Sequence, residues 1–102
     1  MNRDLTFDDY TPSEMVAIFE RMAAQAGYDL AGDCQPILVR IFQELWDARG
    51  KDFANARDVR NVFERAIEAQ ANRLSALMDP PKAAVSLIIT QDLIAAAQAQ
   101  LG

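Results

Sequence analysis

The chain has 102 residues, 51% of them hydrophobic and 25% charged, with a formal net charge of −5 and no histidine. A chain of this size builds one core, burying about 65% of the surface that its unfolded form exposes, and the mixture is globular, not disordered. The acidic balance argues against a free nucleic-acid binder or adhesion to an anionic membrane, and no apolar run approaches the ~18 residues of a membrane span.

After an acidic lead, the run TPSE predicts a helix start: Thr11 caps, Pro12 takes the first helical position, and Glu14 completes a capping box. Met15, Ile18, Phe19, Met22, Ala23 and Ala26 then recur at helical spacing, and Gly27 supplies the stop, setting a helix over 12–26. A second helix is predicted over 33–48. Ile37, Leu38, Ile41, Phe42 and Leu45 form its apolar stripe, Trp46 stands at the edge, and Gly50 ends it.

The third helix is predicted over 56–77, with Asn55 as its cap and Asp58 three residues on. Val59, Val62, Phe63, Ala66, Ile67, Leu74 and Leu77 share its inner side. Pro80 and Pro81 break the chain there. Residues 83–89 permit either an extended segment or a buried turn, and Thr90 then caps a last helix over 91–100, with Leu93, Ile94 and Ala97 facing inward. The fold class is all-α: a small four-helix bundle, one domain over 1–102, with a possible short extended segment near 83–89. Tyr10 and Tyr28 are expected to pack beside the first helix, Met15, Met22 and Met78 to fill the core, and Cys34 to be a small buried apolar group.

Much chemistry is ruled out by composition. Without histidine, the commonest general base and zinc ligand are missing. One cysteine can form neither an internal disulfide nor a metal cluster. The N-terminal run MNRDLTFDDY lacks the basic start and apolar stretch of a signal peptide, so a reducing cytoplasm is the expected location. The loop RGKD fails as a phosphate loop, because Leu45 stands where a glycine is required and Asp52 where Ser or Thr is required. Alone, the chain is not expected to hydrolyse ATP or to bind it tightly.

What remains is an arginine in an unfavourable place. Arg57 stands in the first turn of the third helix, where the helix dipole favours an acid by ~0.3–1 kcal/mol. At 100° per residue it lies about 160° from Val59, with Asn61, Glu64 and Glu68 nearby and Arg60 about 60° around. A solvated face, with Arg60 and Glu64 as a four-apart pair, would contribute at most ~0.5 kcal/mol.

The stretch FANARDVRNVFERAIEAQANRL, residues 53–74, closely resembles the C-terminal lid of AAA+ ATPases. The relevant group contains the sporulation-type ATPases, the red-type Rubisco activase and the type VII secretion ATPases. Its members read Phe-Gly-Asn-Ala-Arg, then Val-Arg-Asn, then Gln-Ala-x-Arg-Leu. FDDYTPSEMVAIFERMAAQAGYDL is similar to the lid's first helix and ITQDL to its closing segment, and Ala54 replaces the family glycine.

The resemblance implies that Arg57 is the sensor-2 arginine, reaching the γ-phosphate of ATP, with Mg, held by an upstream large subdomain. Asn55 and Arg60 are the accompanying nucleotide-side residues. It further implies a hexameric ring that remodels a protein substrate; from the acidic balance, no nucleic-acid or membrane partner is expected. The alternative is a free-standing helical module that holds a partner helix in a groove and has no nucleotide role.

Overall fold

The computed structural model describes residues 10–48 and 55–101. Thr11 accepts a hydrogen bond from the Glu14 backbone N–H at 3.2 Å, and Glu14 Oε1 accepts one from the Thr11 backbone N–H at 2.8 Å. This reciprocal pair opens α1, Pro12–Gln25. The helix ends at Gly27, whose φ of +84° an L side chain resists. Gly27 N–H reaches the Ala24 carbonyl and Tyr28 N–H the Ala23 carbonyl, satisfying two orphaned helix-end groups.

Next comes β1, Asp29–Leu30, and then α2, Cys34–Asp47. The predicted stop at Gly50 lies outside the described residues. α3, Asn55–Ser75, is the longest element. A single turn, α4 (Lys82–Val85), leads into β2 (Leu87–Ile88) and α5 (Thr90–Leu101). The all-α expectation therefore holds, with one short extra helix among the described residues and a two-residue extended segment inside 83–89. β2 pairs in parallel with β1, Asp29 opposite Leu87 and Leu30 opposite Ile88, tying the α1–α2 connection to the α4–α5 connection.

The core gathers where α1, α2, α3 and α5 meet. Phe19 sits at its centre, fully buried, with its ring centroid 6.1 Å from Phe42 and 5.5 Å, edge-on, from Phe63; Tyr28 adds a second edge contact to Phe63 at 6.3 Å. Edge-to-face pairs of this kind add about 0.5–1.5 kcal/mol beyond area burial. Met15, Leu38, Val59, Val62, Ala66, Ile88 and Leu93 complete the interior, and Tyr10, Met22, Trp46, Ile67 and Ala97 pack partly buried around it.

Three apolar expectations are corrected. Ile94 is 47% exposed, because Leu93 and Ala96 take α5's inward side. Leu77 is 48% exposed and Met78 wholly so, since α3 ends at Ser75 and the turn before Pro80 carries both into solvent. Accessibility governs thioether oxidation. Mild peroxide is therefore expected to oxidise Met78 well before the buried Met15, as read by peptide mass spectrometry; equal rates would place Met78 in the core.

Cys34 is buried as expected, and its thiol donates to the Ile88 carbonyl at 3.4 Å. Burial pushes the thiol's pKa upward, with the charges of Asp33 and Asp92 adding to the shift against a lowering backbone hydrogen bond. A raised pKa leaves the neutral thiol dominant at pH 7–8, and the thiolate is the reactive form. Iodoacetamide at pH 8 should label Cys34 slowly in the folded protein and rapidly in urea; fast labelling without denaturant would contradict the burial.

Candidate functional site

α3 places its N-terminal turn beside Met22, in the C-terminal half of α1. Val59, Val62 and Ala66 are fully buried and Phe63 nearly so, which rotates the helix until Arg57 and Arg60 stand on the exposed side. The two arginines are one turn apart. With Met22 from α1 and Ala56 they line one shallow depression, and no carboxylate among the described residues lines it with them.

Glu64 and Glu68, close to Arg57 on a bare helix projection, line a separate depression farther along, with Asn61, Arg65 and Ile67. Arg60, with Met22, also lines a neighbouring hollow that contains Phe63, Ile67 and Glu64. No Arg60–Glu64 ion pair forms among the described residues. Asn55 is the first described residue of α3; its side chain, like Ala54, lies outside the described residues, and the cap expected of it lies there too.

The start of α3 suits an anion. Backbone N–H groups at a helix start lack intrahelical acceptors and carry partial positive charge. Two guanidiniums add forked donors matched to phosphate or carboxylate oxygens. By contrast, the groove between α2 and α5 is floored by Ile37, Ile41, Ile94 and Ala97, with Arg40 and Glu44 both on its rim, a poor match for a polyanion. Among the described residues, no group of three or more His, Cys, Asp or Glu is placed to hold a metal ion. None of their helices is long and apolar enough to cross a membrane.

A second polar cluster holds the other end of α3. Gln70 is 3% exposed, and its Nε2 lies 2.8 Å from the Val85 carbonyl, 3.2 Å from Leu87 and 3.4 Å from Ala84. Arg73 binds Asp92 through both carboxylate oxygens, Nε to Oδ1 at 2.9 Å and Nη2 to Oδ2 at 3.0 Å, and also reaches the Leu87 carbonyl at 3.4 Å. The Asp92 hydrogen bond is the main cause of Arg73's raised pKa.

Asp92 Oδ2 further accepts from Ile89 N–H at 3.0 Å, so this carboxylate ties down the entry to α5, where Thr90 was expected to cap. The periodicity reading gave Gln70, Arg73 and Asp92 no role. A signal was present: Gln70 falls on the apolar stripe of Phe63 and Ala66, and a polar group on a core face requires partners.

The described residues form a small all-α bundle whose longest helix carries two guanidiniums in one hollow near its start. The chain belongs to the AAA lid domain family, which residues 11–101 match. It is 35% identical over 72 residues to the chloroplastic ribulose bisphosphate carboxylase/oxygenase activase of Cyanidioschyzon merolae, an alignment covering 71% of this chain and 24% of that protein. It is also 35% identical over 72 residues to the protein CfxQ homolog of Cyanidium caldarium, with the same coverage. Likeness to the protein CfxQ homolog of Guillardia theta is 38% over 72 residues, covering 69% and 23%. The chain thus spans about a quarter of the length of these curated relatives. The AAA+ lid resemblance carried by residues 53–74 is borne out at the level of the family.

Proposed function

We propose that residues 1–102 act as the lid subdomain of an ATP-dependent protein-remodelling AAA+ ATPase, with Arg57 as the sensor-2 arginine and Arg60 as a second cation on the nucleotide side. The observation that carries this reading is the convergence of Arg57 and Arg60 on one depression near the start of α3. The donor set fits a phosphate: two guanidiniums close to the start of a helix. Bound ATP would supply the phosphoanhydride bond to be broken, its magnesium held by groups outside the described residues.

The chain's own part is positional. Arg57 orients a terminal phosphate and offsets developing negative charge, while its placement against the helix dipole is tolerated because an anion satisfies both. One charge-assisted contact contributes about 1.5–3 kcal/mol, roughly ten- to a hundredfold in binding or turnover. That exceeds the ~0.3–1 kcal/mol dipole penalty. Partners on this reading are an upstream large subdomain, neighbouring subunits of a hexameric ring, and a protein substrate. Asn55 stands at the same helix mouth.

The test is Arg57→Ala in the complete ATPase. Hydrolysis should fall about tenfold or more, while the stability of the isolated chain changes by less than ~0.5 kcal/mol, as expected of an exposed site. Hydrolysis equal to that of the parent protein would remove the sensor role.

A further inference from the structure

We draw no further inference here: the strongest candidate, the apolar groove between α2 and α5 floored by Ile37, Ile41, Ile94 and Ala97, is an unpartnered face, and nothing in the structure shows what covers it.

Discussion

Phe19→Ala is expected to destabilise the chain by about 3–5 kcal/mol, the range for emptying a buried phenylalanine site. The ring is fully buried and touches Phe42 from α2 and Phe63 from α3, so its loss opens a cavity where three helices meet. Small domains are stable by only about 5–15 kcal/mol. For a chain of this length each 1 kcal/mol moves the thermal midpoint by about 4–8 °C. A fall of roughly 15–30 °C, followed by circular dichroism, is the outcome to look for. Phe19→Leu, which keeps most of the volume, should cost far less. A midpoint unmoved by the alanine change would show that the aromatic cluster is not the centre of the fold.

The Arg73→Ala change should cost nearly as much for an electrostatic reason. Asp92 is 1% exposed, and without Arg73 its carboxylate would keep the Ile89 N–H but lose both guanidinium hydrogen bonds. Stranding a buried charge costs about 3–5 kcal/mol. Because the Arg73 side chain is 23% exposed, water can partly replace it, and the lower end of that range is expected. Urea denaturation of Arg73→Ala gives the number.

Replacing both partners together, Arg73→Met with Asp92→Leu, removes the stranded charge and should recover much of the loss. If the single change costs under ~1 kcal/mol, the pair behaves as a solvated surface bridge and does not secure α5. Gln70 belongs to the same fastening. Its amide spends two N–H donors on three carbonyls of the α4–β2 segment, closing the side of β2 turned away from β1.

The class of the fold was readable from residue order because its signals are local. A capping box needs only Thr11 and Glu14, and a left-handed helix stop needs only Gly27. Apolar recurrence over three or four residues selects one helix face wherever the helix ends up. The stripe of α2, that of α1 as far as Ala23 and that of α3 as far as Leu74 therefore appear where periodicity places them. The exposed orientation of Arg57 follows likewise from its angle to Val59. Residues 53–74 also carried the lid likeness, as a run of consecutive residue types.

Packing between distant segments settled everything else. Periodicity within α5 brings Leu93, Ile94 and Ala97 near one side, but the angle at which α5 meets α3 buries Leu93 and leaves Ile94 in solvent. The end of α3 at Ser75 turned Leu77 and Met78 outward. The acids at Glu64 and Glu68 share a helix face with Arg57 on projection, yet α1 crosses so that Met22 joins the two arginines in a hollow of their own. Gln70, Arg73 and Asp92 found partners 14 to 19 residues away, across a connection whose path no local propensity encodes. Helical periodicity constrains direction about one axis; how axes cross, and which charges they bring together, depends on how side chains from several helices fill a common volume.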